Sequence, residues 1–120
     1  MYKEEFIEKL NNVGWDKTQY IILSGGSMLI RGLKTQTHDF DLSVSKNLAE
    51  KIGLYNAPRN KDGVYIPFDM AEATDDMDKI EFDLVNGFQC QSLQSILRYK
   101  KNRGLPKDLR DIPVIEAALA

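Results

Sequence analysis

Residues 39–44, "DFDLSV", alternate without a break: Phe40, Leu42 and Val44 fall on one side of an extended chain, and Asp39, Asp41 and Ser43 on the other. A period of two is the mark of a strand with one buried and one polar face. The pattern returns in "KIEFDLVNG", where Ile80, Phe82 and Leu84 oppose Glu81, Asp83 and Val85. Two acid-bearing, half-buried strands therefore commit the chain to a sheet, and the remaining segments have to be read around it.

Most of them read as helices. "YKEEFIEKLNN" places Phe6, Ile7 and Leu10 at helical spacing, with Gly14 as the stop. "YIILSGG" predicts a short buried strand that breaks at its glycines, and "SMLIRGL" a helix packed on the sheet with Ser24 or Ser27 as its cap. "SKNLAEKIG" predicts a short helix between Ser45 and Gly53. The region from Tyr55 to Asp78 is rich in turns, and its one candidate strand, "GVYIPF", carries Pro67 and so belongs at an edge. "SLQSILRYKKNRG" is a helix capped by Ser92 and ended by Gly104. "LPKDLRDIPVIEAALA" is another, with Pro106 in its first turn and Pro113 expected to kink or divide it. The expected fold is α/β (α+β): a small mixed β-sheet flanked by helices. There is no repeat, low-complexity tract or linker, so residues 1–120 read as a single domain with a helical C-terminal segment over 92–120.

Charge and cysteine content narrow the function classes. A formal net charge of −2 argues against general polyanion binding, yet Arg98, Lys100, Lys101, Arg103, Lys107 and Arg110, six of the 16 Lys and Arg, crowd into one short stretch. Any phosphate or nucleic-acid contact is expected to be local to it. One cysteine, Cys90, rules out an internal disulfide and suits a reducing cytoplasm; it is expected in the core. "MYKEEFIEKL" carries acids and no long apolar stretch, so neither a signal peptide nor a membrane contact is expected.

Three elements carry chemistry. Asp39 and Asp41, two apart on a strand, leave the same face with Cα atoms roughly 6–7 Å apart and can converge on divalent cations. Hard oxygen ligands favour Mg²⁺ or Mn²⁺. The Gly25-Gly26-Ser27 turn lets the backbone approach an anion, and a helix starting there aims N–H groups at it. Asp83, with Glu81 beside it, could complete an acidic cluster if the two strands pair. Each element has a plainer reading: a solvated polar face for the acids, a tight strand-to-helix turn for the glycines. His38, the only histidine, reads as a turn residue, and Trp15 and the tyrosines show no base-stacking spacing.

Taken together, Gly25-Gly26-Ser27, eleven further residues, Asp39-Phe40-Asp41 and a later acid in an apolar strand resemble the nucleotidyltransferase superfamily with a DNA polymerase β-like core. The likeness runs from about Tyr20 to Val85. "YKKNRGLPKDLRDI" extends it, since Lys100, Arg103, Lys107, Asp108 and Asp111 look like the closing motif of the abortive-infection and toxin–antitoxin branch; antibiotic nucleotidyltransferases share the same core. Where that branch tends to show an arginine this chain has Thr35, with Lys34 or Arg31 as stand-ins.

The resemblance implies a minimal nucleotidyltransferase fold in which Gly25, Gly26 and Ser27, with Lys107 and less directly Lys100, hold a nucleoside triphosphate. Asp39, Asp41 and Asp83 would be the catalytic acids and metal ligands, Glu81 competing with Asp83 for the third place. The implied reaction moves a nucleoside monophosphate to a hydroxyl on RNA, protein or a small molecule. The alternative is a non-catalytic binding or antitoxin-like module of the same fold that works with a partner chain or as a homodimer. A small RNA-binding domain is a third reading, against which Asp108 and Asp111 weigh. In the plain reading of the basic helix, Lys107 pairs with Asp111 at helical spacing.

Overall fold

The computed structural model describes residues 1–120 and shows an α+β fold: five strands in one mixed sheet, flanked by helices. Helix α1 (Lys3–Val13) buries Phe6 and Leu10 and stops at Gly14, whose φ of 76° is the left-handed conformation that glycine adopts without strain. Strand β1 (Tyr20–Ile22) leads into helix α2 (Ser24–Ile30), which has no side-chain cap; Leu23 holds the cap position, where Ser24 or Ser27 was expected. Strand β2 is Phe40–Val44, and Ser45 caps helix α3 (Lys46–Lys51) by accepting from the Leu48 N–H at 3.0 Å.

The turn-rich region departs from expectation. "GVYIPF" forms no strand: Tyr65 makes only isolated bridges, to Arg59 and to Ala73. The strand lies further on, at β3 (Ala71–Thr74), where it pairs in parallel with β2. Strand β4 (Phe82–Val85) and strand β5 (Phe88–Gln91) form a hairpin over Asn86-Gly87, both with positive φ. Helix α4 (Leu93–Arg103) is capped by Ser92 and ended by Gly104. Helix α5 (Pro106–Leu119) runs through Pro113 undivided.

The sheet order is β3-β2-β1-β5-β4, with β1–β2 and β4–β5 antiparallel and β2–β3 and β1–β5 parallel. Phe40, Leu42 and Val44 join Phe6, Leu10, Tyr20, Ile22 and Leu29 in a 16-residue core beneath one face. Phe6 and Phe40 stack with ring centres 4.6 Å apart. A separate four-residue cluster, Met28, Leu93, Ile96 and Ile115, joins α2 to the α4–α5 pair. No helix is long and apolar enough to cross a membrane.

Candidate active site

The opposite face of the sheet is where the acids gather, at the end where β1 stops and β2 and β3 begin. Parallel pairing sets Asp41 in register with Glu72, so their side chains leave neighbouring strands on the same face. Asp39 stands exposed just before β2. Burial pushes the Asp41 carboxyl up to about 6, and the charges of Asp39 and Glu72 add to the rise. Lys107 and Arg103 pull it back, and no hydrogen bond from the protein relieves it. Asp41 is thus a half-buried acid surrounded by more negative charge than the chain neutralises. No group of three or more His, Cys, Asp or Glu side chains stands ready to hold a metal ion between them.

The strand-to-helix turn lies against this acid. The Leu23 N–H donates to the Asp41 carbonyl at 2.8 Å, extending the β1–β2 ladder to the turn. Ser24 follows with φ 44°, a conformation that L residues avoid, and its N–H donates to the Gln91 side-chain carbonyl at 3.0 Å. The glycines differ in kind. A Cβ on Gly26 would stand 2.7 Å from Ile22 and 2.8 Å from Phe6, so this glycine exists to let α2 pack on β1 and α1. A Cβ on Gly25 would meet Thr37 at 3.4 Å and Lys34 at 3.9 Å, ordinary contacts that leave packing with no claim on a glycine there. Ser27 is fully buried and donates to the Gln91 backbone carbonyl at 2.8 Å. Of the expected triphosphate cradle, only Gly25 is left without a packing role; Gly26 and Ser27 serve the packing of α2.

Asp83 does not join Asp39 and Asp41. Strands β1 and β5 lie between β2 and β4, and the registers Leu42–Ile22, Ile22–Cys90 and Cys90–Asp83 place Asp83 on the Leu42 face, opposite Asp41. There it accepts from the Arg31 guanidinium at 3.0 Å. Glu81 is no substitute, because it pairs with Arg98 at 3.0 Å on the far edge. The two alternating strands are not neighbours: β1 and the unread strand β5 lie between them. Glu72 was missed for a related reason: its strand, "AEAT", alternates only alanines with Glu and Thr.

The closing basic motif is mostly internal. Asp108, fully buried, accepts from Arg103 at 2.8 and 2.6 Å, from the Leu105 N–H at 3.0 Å and from Lys100 at 3.4 Å. The Arg103 bonds, aided by the backbone N–H, hold its carboxyl far below the usual carboxylate range. Lys100 is itself buried and bridges on to Asp111 at 3.1 Å, which also takes Lys34 at 3.0 Å. The Lys107–Asp111 pair does not form; Asp111 is satisfied by Lys34 and Lys100, and Lys107 stays exposed with no ion pair, its charge felt at Asp41. Of the two stand-ins for Thr35, Lys34 sits beside Gly25, while Arg31 is taken by Asp83. Cys90 is buried, as expected, with its thiol pushed up to about 11 by burial.

Two surface hollows, of about 390 Å³ beside Phe68 and Met70 and about 260 Å³ beside Ser45 and Asp75, lie apart from this cluster; neither is lined by Asp39, Asp41 or Glu72. No protein-family model, curated protein or solved structure matches the chain.

Proposed function

We propose that the chain is a divalent-metal-dependent nucleotidyltransferase of the DNA polymerase β-like kind, with Asp39, Asp41 and Glu72 as its acids. The observation that carries this reading is the β2–β3 register: it sets Glu72 beside Asp41 at the end of the sheet where Leu23, just ahead of the Ser24–Gly25 turn, donates its N–H to the Asp41 backbone carbonyl. The donor set suits Mg²⁺ or Mn²⁺, because Asp41 has uncompensated negative charge around it and no protein partner of its own. A preformed cage of three protein ligands is not needed, since Mg²⁺ is commonly held by one or two carboxylates together with substrate phosphates.

When bound, such an ion supplies the charge neutralisation that displacement at phosphorus requires. Asp39 and Asp41 would hold it, with Glu72 sharing it through one carboxylate oxygen. The Gly25 backbone receives the triphosphate of an incoming nucleotide, and Lys107, the basic residue without an ion pair whose charge reaches Asp41, offsets its charge. Glu72 accepts the proton of an acceptor hydroxyl as that oxygen bonds to the α-phosphorus; the α–β phosphoanhydride bond breaks and pyrophosphate leaves. Most of the rate gain comes from positioning and electrostatics. The acceptor is a hydroxyl on RNA, protein or a small molecule, and the free, buried Cys90 fits work in the cytoplasm.

Incubation with Mg²⁺ and each labelled nucleoside triphosphate tests the proposal. Label transfer by the wild type that is lost in Asp41→Ala and Glu72→Ala supports it; equal labelling by all three, or none with any acceptor, overturns it. A second reading, a non-catalytic module of the same fold bound to a partner chain or a second copy, draws on the exposed apolar residues of α5, Leu109 and Val114. A tight protein complex with no Mg²⁺-linked triphosphate affinity would favour that reading instead.

A further inference from the structure

The segment between α3 and β3 lies beyond the sheet edge, and Asn60 is its organising residue. Its backbone N–H donates to the Val64 carbonyl at 2.9 Å, and its own carbonyl accepts from the Gly63 N–H at 3.0 Å. Its side-chain oxygen accepts twice more, from the Asp62 N–H at 2.8 Å and the Val64 N–H at 3.0 Å. This is an Asx-type turn, in which a short amide side chain stands in for a backbone carbonyl. The turn is held to the sheet on its flank, where Tyr65 bridges Arg59 and Ala73 and the Ala73 N–H donates to the Tyr65 carbonyl at 2.9 Å.

Those two N–H groups settle which way the amide faces. Flipping it would set the NH₂ group against two further donors, so the oxygen has to face the turn and the NH₂ has to face outward. Outward lies Glu72: the Asn60 Nδ2 donates to its Oε1 at 3.1 Å. A group that can only donate fixes the carboxylate as the acceptor. It occupies Oε1 and leaves Oε2 without a protein partner. The turn itself needs only the side-chain oxygen; the nitrogen does nothing for it.

We infer that Asn60 is a positioning residue, whose amide holds Glu72 in the orientation in which its free oxygen serves the acidic site with Asp41. This rests on the nucleotidyltransferase reading and adds a residue that touches neither substrate nor ion. An exposed tip at Lys61, Asp62 and Gly63 thereby becomes part of the site's support: whatever displaces the tip releases the third acid.

The test is Mn²⁺ affinity in the presence of a non-hydrolysable nucleoside triphosphate, measured by calorimetry on the full chain. Asn60→Ser keeps an oxygen for the turn and deletes the donor to Glu72. Affinity is expected to fall about tenfold, the usual loss when a partner that orients a metal ligand is removed. In a Glu72→Ala background the same substitution is expected to change nothing further. Equal affinity for wild type and Asn60→Ser, or an equal loss in both backgrounds, overturns the inference and leaves the nucleotidyltransferase reading standing. No Mn²⁺ binding by the wild type overturns both. Should Asn60→Ser fail to fold, the side-chain amide resonances of Asn60 decide the matter. They are expected to move on Glu72→Ala while the Asp62 and Val64 amides hold, and resonances that do not move overturn the inference.

Discussion

The tripeptide Phe-Asp-Leu occurs twice, at 40–42 and at 82–84, with opposite fates. In β2, an interior strand, Phe40 and Leu42 are each 1% exposed, and Asp41 stands half-buried among like charges. In β4, at the sheet edge, Phe82 and Leu84 are 43% and 73% exposed, and Asp83 is satisfied by Arg31. The local pattern is the same, so the pattern cannot be what makes a site. Strand position does: flanked on both sides, Asp41 loses water and gains Glu72 as a neighbour, whereas Asp83 keeps its water and takes a counter-ion. A pair like Asp83–Arg31, with the acid largely in solvent, contributes little to stability.

The contrast can be broken most severely at the acids themselves. Asp41→Ala is expected to lower nucleotidyl transfer by about 10²-fold or more, the scale of removing one electrostatic stabiliser from a reacting centre. Asp83→Ala should leave the rate within about twofold, and radiolabelled transfer measured side by side checks both. A comparable loss in the two variants would mean that strand position does not separate them.

Stability gives the next largest effect. Leu42→Ala should cost about 2–5 kcal/mol in urea unfolding, for the lost contacts and the cavity left behind. Leu84→Ala, cut from an exposed edge, should stay within about 0.5 kcal/mol.

Asp41 also has a pH signature of its own. Its carboxyl is raised to about 6 in the folded chain, so the folded state binds that proton more tightly than the unfolded one. The stabilisation is fully present below the ordinary carboxylate range and is lost as pH rises through 6. At pH 7 Asp41→Asn should therefore be more stable than wild type by up to roughly 3 kcal/mol, with the gain vanishing near pH 4. Melting curves at the two pH values check this, and Mg²⁺ with triphosphate should narrow the gap. Asp108 has the opposite sign: its stabilisation holds above the ordinary carboxylate range and is lost only as pH falls below it.

The smallest expected effect separates two neighbours within the turn. Gly26→Ala meets Ile22 and Phe6 and should cost about 1–3 kcal/mol. Gly25→Ala should leave stability nearly unchanged while weakening triphosphate binding, which thermal melts and nucleotide titration would distinguish.

How much of this could be read from the residues follows the same division. Strand β2 was legible because an interior strand with one wet face must alternate large apolar and polar groups. The helix boundaries at Ser45, Ser92, Gly53 and Gly104 were legible because caps are local chemistry. Strand β3 was not: Ala71 and Ala73 are small enough to sit at 1% exposure against β2, and the segment owes its extended form to that pairing. Strand β5, "FQCQ", hid for a related reason, since Gln89 spends its amide on the Tyr20 carbonyl at 2.9 Å and Gln91 receives Ser24. With β3 and β5 unseen, the order of strands was open, and Asp83 was expected beside Asp41 when it lies on the opposite face. The basic motif was recognised as a set, but burial divided it: Lys100 and Asp108 hold the two helices together, and Lys107 alone keeps its charge free.

The separation between the sheet's core and the small cluster of Met28, Leu93, Ile96 and Ile115 has a dynamic consequence. Helices α4 and α5 join the rest through this small apolar cluster, the Lys34–Asp111 and Arg98–Glu81 bridges and the Gln91–Ser95 bond, a slighter attachment than the sixteen residues under the sheet. In amide hydrogen exchange the C-terminal pair should open as its own cooperative unit, earlier than β1 and β2. Each such opening would carry Lys107 away from Asp41 and bring it back, so the chain would lend and withdraw one cation at its acids without disturbing the strands that hold them.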